Sequence, residues 1–166
     1  MNGSQMVLVV GAIVIFAFLA LSINNSLSNT AGQSANAEYI SMATNLGQSI
    51  INKVSTKAFD QKTINFPAYS SSVLTPVDSL GPDPSETSAS FNDVDDYNNF
   101  DTTINTARTG VFNLHVDVSY ANENNLTQIS NVPTRTKRIE VKITNPFFKS
   151  DGEKQDTVKM YYYKSY

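Results

Sequence analysis

The sequence predicts an α+β fold, in which one long N-terminal helix with an apolar first half packs on a small antiparallel β-sheet head. Three observations predict it. No side chain from Met1 to Ala37 is ionisable, so all 12 basic and 15 acidic residues lie beyond that point. Apolar residues recur at steps of three or four between Ile23 and Ala58, the period of one helical face. Three later segments alternate apolar and polar residues, the period of a strand buried on one side.

The helix comes first. Met6, Val7, Leu8, Val9, Val10, Ile13, Val14, Ile15, Phe16, Phe18, Leu19 and Leu21 make a stretch that is apolar on every side. Roughly 20 such residues cross a bilayer, with about 17 as the lower limit. A cleavable secretory signal is one reading, since Ala20-Leu21-Ser22 offers a small-x-small site. The segment before it carries no Lys or Arg, which that reading needs. An ordinary membrane anchor is a second, although basic residues normally set its orientation and the first here is Lys53.

Beyond Ile23 the pattern turns amphipathic. Ile23, Leu27, Ala31, Ala35, Tyr39, Ala43, Leu46, Ile50, Val54 and Ala58 line one face, and Asn, Ser and Gln line the other. Residues 1–60 are therefore read as one helix, with 6–23 as membrane anchor or filament core and 24–60 as the part under the head. Some 55 helical residues would extend about 80 Å. A domain of the remaining size covers only part of such a rod, so other copies are expected to cover the rest. Tyr39, Met42, Leu46, Ile50 and Val54 are the expected contacts with the sheet. Asn24–Ser34 is rich in poor helix formers, so Ser22–Ser34 is where an assembled form is expected to break or stretch.

Residues 61–110 read as a loop-rich tract, punctuated by Pro67, Pro76, Gly81, Pro82 and Pro84. Residues 111–166 read as an antiparallel meander of three strands. Phe112–Tyr120 alternates cleanly, Ala121–Asn125 reads as a turn, and Ile139, Val141 and Ile143 continue the apolar face until Asn145-Pro146 ends the run. Ser150-Asp151-Gly152 signals a second turn before Val158, Met160 and Tyr162.

An apolar stretch from residue 6, a thin amphipathic continuation and a small β domain resemble a mature type IV pilin over the whole chain. The loop sharpens the likeness. Leu80-Gly-Pro-Asp83, Glu86 and Phe91-Asn-Asp-Val-Asp-Asp-Tyr97, followed by Phe112–Tyr120 and Lys137–Ile143, resemble ordered segments of pilin-like proteins of the mannose-sensitive haemagglutinin pilus group. The resemblance implies a structural subunit that waits in the inner membrane and then polymerises with copies of itself into a cell-surface filament. It further implies a prepilin peptidase and pilus assembly machinery as partners. A minor pilin or secretion pseudopilin, and a membrane-anchored extracytoplasmic binding domain that never polymerises, are the alternatives. Met1, Asn2, Ser4 and Gln5 fall where the family makes its N-terminal subunit contacts. Gln5 stands where the family carries a Glu, Ser22 where it carries a Pro, and Asn98-Asn99 where a Gly often follows the Tyr.

Composition excludes several other classes. A net charge of −3 gives no electrostatic case for nucleic acid, and the lack of Cys removes disulfides and thiolate chemistry. His115 is the single histidine and lies on the polar side of its strand; no nucleophile-elbow or Gly-rich phosphate loop accompanies it, so no enzyme activity and no cofactor are expected. Asp93, Asp95, Asp96 and Asp101 offer hard oxygen ligands to Ca²⁺ without the spacing of an EF-hand loop. The competing reading is an acidic loop whose side chains cap turns.

Overall fold

The computed structural model describes residues 2–65, 67–150 and 154–166. These form two compact units, Met1–Glu38 and Tyr39–Tyr166. Helix α1, Gly3–Ser55, contributes to both. It starts at Asn2, whose carbonyl accepts the backbone N–H groups of Gln5 and Met6 at 2.9 and 3.3 Å. Gln5 Oε1 in turn accepts the Asn2 N–H at 3.3 Å, the return half of a capping box. Thr30 and Thr44 turn their hydroxyls onto carbonyls four residues back, so neither interrupts the helix. In the single chain α1 is unbroken through Ser22–Ser34; the expected opening concerns the assembled form. The helix ends at Ser55 rather than at residue 60, with the Ser55 and Thr56 hydroxyls folding back onto the Asn52 and Lys53 carbonyls.

Five antiparallel strands make the sheet: β1 Phe100–Thr106, β2 Gly110–Asn122, β3 Asn125–Ile129, β4 Thr136–Ser150 and β5 Lys154–Ser165. The order is β1-β2-β4-β5, with β3 paired to the end of β2. The fold class is the one expected, with two strands more than the three read from alternation. β1 takes the last part of the tract assigned to loop, and β3 begins where the turn was placed. The turn read at Ser150–Gly152 lies largely outside the described residues.

The register explains the alternation. Phe100, Val116, Val141 and Met160 form one row across the four strands, and Val118, Ile139 and Tyr162 form the next but one. The inward members of β2 and β4 are all buried. Pro146 does not end β4. The pairing with β5 is irregular between Thr144 and Lys149, which is where a residue without an N–H fits. Buried Asn145 fastens the irregularity, its Nδ2 donating to the Thr109 and Val111 carbonyls at 3.0 Å and its Oδ1 accepting from Phe147 N at 2.8 Å.

The second half of α1 covers the inward face of the sheet. Ala43, Gly47, Ile51 and Val54 are its buried residues, while Tyr39, Met42, Leu46 and Ile50 pack beside them half-buried. Gly47 marks the closest approach: a Cβ there would lie 2.6 Å from Met160 Sδ and 2.9 Å from Ile143 Cδ1. A smaller cluster of Phe59, Ala68, Leu74 and Tyr120 gives the tract after the helix its own core. That tract closes on Asn98 and Asn99. Asn99 adopts φ 56°, a left-handed conformation that Asn tolerates better than other residues with a side chain, and Asn98 bonds the Leu80 carbonyl and the Val118 N–H.

Candidate functional site

Three regions carry the chemistry of the chain. In the first, the apolar residues from Met6 to Leu21 named above are all exposed, by 48–74 %. α1 is long and apolar enough to cross a membrane, and none of its most apolar stretch is buried within the chain. Met1 lies outside the described residues, and Asn2 and Gln5 are engaged with one another at the start of the helix.

The second region is a buried ionic cluster. Directly after α1, Ala58 forms a parallel bridge with Asp93: Ala58 N donates to the Asn92 carbonyl and Val94 N to the Ala58 carbonyl, both at 3.1 Å. That bridge lays Asp60 beside the acidic loop. The loop holds itself, since Asp96 Oδ2 accepts the N–H groups of Asn92 and Asp93 at 2.7 and 3.1 Å and Asp93 Oδ1 accepts Asp96 N at 3.2 Å. One oxygen each of Asp60, Asp93 and Asp95 lies within 4.8 Å of the others.

Lys137 enters this cluster from β4. It is in phase with Ile139, Val141 and Ile143, so the pleat turns it inward, and it is fully buried. Its Nζ donates to the Phe59 carbonyl at 2.8 Å, to Asp60 Oδ2 at 3.0 Å and to Asp95 Oδ1. The rings of Phe59 and Tyr120 lie beneath it, centroids 4.5 and 5.2 Å away. Asp60 is saturated. Its Oδ1 accepts from Lys62 N and the Thr75 hydroxyl, and its Oδ2 accepts from Thr75 N and Lys137, with the Tyr120 hydroxyl 3.2 Å away. Asp93 Oδ2 and Asp95 Oδ2, by contrast, are buried without a hydrogen-bond partner.

The three carboxyls divide accordingly. Burial alone would raise the pKa of Asp60, but the Lys137 charge and the Thr75 N–H outweigh it and hold it below the ordinary range. Burial, then the charges of Asp95 and Asp96, push Asp93 up to about 7. Burial lifts Asp95 to about 6 against the pull of Lys137. The cation among these carboxylates is the ammonium of Lys137. Of the four residues weighed as Ca²⁺ ligands, Asp93 and Asp95 line this cluster and Asp96 caps its loop. Asp101 is separate, on the outer face of the sheet. Neighbouring Lys164 bonds the Ser55 carbonyl at 2.9 Å and the Lys57 carbonyl, tying β5 to the chain at the end of α1. Sequence reasoning missed Lys137, although its phase with Ile139 was the available signal; Asp60 had none.

The third region is an open hollow of about 750 Å³ on the outer face of the sheet, lined in part by Asp101, Asn113, His115, Lys142 and Thr157. His115 Nδ1 lies 2.8 Å from Asp101 Oδ1 and Nε2 lies 3.0 Å from Asp117 Oδ1, so both ring nitrogens are committed to carboxylates. Lys142 pairs with Asp117 at 2.5 Å. The hydrogen bond to Asp101 raises the His115 pKa; burial opposes it, and the hydrogen bond to Asp117 adds to the rise. A raised histidine pKa contributes stability that is complete below the ordinary value and is lost as pH rises through the folded value. His115 should therefore titrate above an unperturbed imidazole by NMR, and stability should fall slightly as it deprotonates. With His115 a third exposed and Asp101 77 % exposed, the loss should stay under about 1 kcal/mol. Replacing Asp101 and Asp117 by Asn should return the midpoint toward the ordinary value.

No family model, curated protein or solved structure matches the chain.

Proposed function

We propose that the chain is a structural subunit of an extracytoplasmic filament of the type IV pilin kind. The observation that carries this reading is the apolar first part of α1, unburied within its own chain yet continuous with the helix that covers the sheet. Before assembly a bilayer covers those side chains; in the filament the same segments of neighbouring copies do. The stretch from Asn24 to Ala37 favours polymerisation over a solitary anchor. It lies beyond the spanning length, carries no charge, and would stay wet along its apolar side in a monomer. A prepilin peptidase and an assembly platform are the partners that the resemblance supplies.

The native chain has no Cys, so a single introduced one reports its neighbours cleanly. Ile13→Cys in cells should give disulfide-linked dimers in sheared surface material, while the same change at exposed Tyr69, on the head, should not. Monomers alone at Ile13→Cys, in the presence of oxidant, would favour the solitary membrane anchor.

Gln5 supplies a further prediction. Its amide satisfies the Asn2 N–H within the subunit, a neutral bond of about 0.5–1.5 kcal/mol against about 1.5–3 for a charged one. Gln5→Glu keeps the acceptor and adds the charge favoured at a helix N-terminus, so fibre yield should hold or rise. Gln5→Leu removes the acceptor, and yield should drop. Yields indifferent to both changes would show that Gln5 has no part in assembly.

A further inference from the structure

We propose that Lys137 and Asp95 become joined by an intramolecular amide bond between Lys137 Nζ and Asp95 Cγ. In water an amine and a carboxylic acid form a salt and stay there, because both charged forms are well solvated. Condensation needs the two groups in contact, water excluded, both neutral, and an acid at hand to remove the hydroxyl. The cluster supplies the contact, the exclusion of water and the neighbouring acid, and the neutral pair is reached by a proton passing within it.

Contact is direct, since Nζ touches Asp95 Oδ1. Holding two reacting groups in attack geometry can reach roughly 10⁵–10⁸ M of effective concentration. Water is excluded: the Lys137 side chain is 0 % and that of Asp95 4 % exposed, and the Phe59 and Tyr120 rings lie against the amine. Burial lifts Asp95 to about 6, so its carboxylate takes up a proton more readily than one in solvent. Asp60, held ionised by Lys137 and the donors of Thr75 and Lys62, fixes the amine through Oδ2 at 3.0 Å. Asp93, buried and with an unpartnered oxygen, is the proton carrier.

The step balances without an oxidant or any co-reactant. The ammonium gives a proton to Asp95, and the Nζ lone pair attacks Cγ. The C–N bond forms and a tetrahedral centre results. Asp93 delivers a proton to the hydroxyl as its C–O bond breaks, and recovers one from the nitrogen. One water leaves for each amide made. Asp95 Oδ2, which no donor holds, is the oxygen free to depart. The product ties the acidic loop to β4 across 42 residues of sequence, a lock within the head that does not depend on polymerisation.

The test is mass spectrometry of the full chain, purified in detergent and digested with trypsin. The amide should leave the chain uncut after Lys137 and yield a branched peptide joining the Asp95 and Lys137 segments, lighter than their sum by one water molecule. Asp95→Ala should restore cleavage after Lys137. Asp93→Asn should slow closure, so that fresh protein is a mixture of joined and free chains. Cleavage after Lys137 in the wild-type chain, with the Asp95 peptide recovered at its unmodified mass, would overturn the proposal. An Asp93→Asn chain fully joined at the first time point would remove Asp93 from the step.

Discussion

Val10→Asp should abolish fibres while leaving the head folded. Val10 lies in the middle of the apolar stretch, is 54 % exposed within its own chain, and belongs to the unit that ends at Glu38. The substitution therefore costs the head nothing. On the proposed function, it places a carboxylate where a bilayer covers it before assembly and neighbouring copies cover it afterwards. A charge at the centre of a spanning helix costs about 2.5–3.5 kcal/mol on insertion scales. In a filament that penalty recurs at every subunit, so the expected loss of fibres is complete rather than partial. Val10→Leu keeps the chemistry and should assemble normally. Immunoblots of sheared and cell-bound fractions, with electron microscopy of the sheared one, measure both variants. Normal fibre yield from Val10→Asp would exclude this segment from any apolar filament core.

Lys137→Met should be the most destabilising single change in the head. In the unjoined chain it keeps much of the stem's volume but takes the Lys137 ammonium away from Asp60, Asp93 and Asp95. Removing one partner of a buried ion pair typically costs about 3–5 kcal/mol, because the remaining charge cannot reach water. The pH dependence follows. Without the ammonium, Asp93 and Asp95 rise further above their unfolded values, and Asp60 loses the charge that holds it below its own. The folded state then binds more protons than the unfolded state near neutrality, and stability falls as pH rises. Thermal denaturation should find Lys137→Met closer to wild type near pH 5 than near pH 8. Adding Asp60→Asn and Asp95→Asn should recover part of the loss at the higher pH. A single variant as stable as wild type at pH 8 would mean that the cluster contributes nothing.

The parts of the fold legible in the sequence are those where one side-chain pattern has one physical cause. A stretch without a single charge, followed by apolar residues at helical spacing, left little besides α1. β2, β4 and β5 announced themselves because each has one wet and one buried face. β1 was hidden because Thr102 takes an inward position between Phe100 and Ile104, so its alternation looks polar. β3 is exposed along its whole length and has no alternation to read. Gly47 went unnoticed for the opposite reason: a poor helix former is tolerated there because the sheet leaves no room for a Cβ. The Asp60–Asp95–Lys137 cluster was only half visible. Its acidic loop stood out, but the partners come from 35 residues before Asp95 and 42 after it. Only the Ala58–Asp93 bridge and the pleat of β4 bring them together.

The central claim is that copies of this chain polymerise through the apolar half of α1. Negative-stain microscopy of material sheared from the surface of cells that express it, with mass spectrometry of the purified fibres, tests that claim most directly. The account predicts thin, uniform fibres in which peptides of this chain predominate, and which disappear in the Val10→Asp strain. Fibres that lack this chain, or a chain found only in the membrane fraction of cells bearing no fibres, would contradict it.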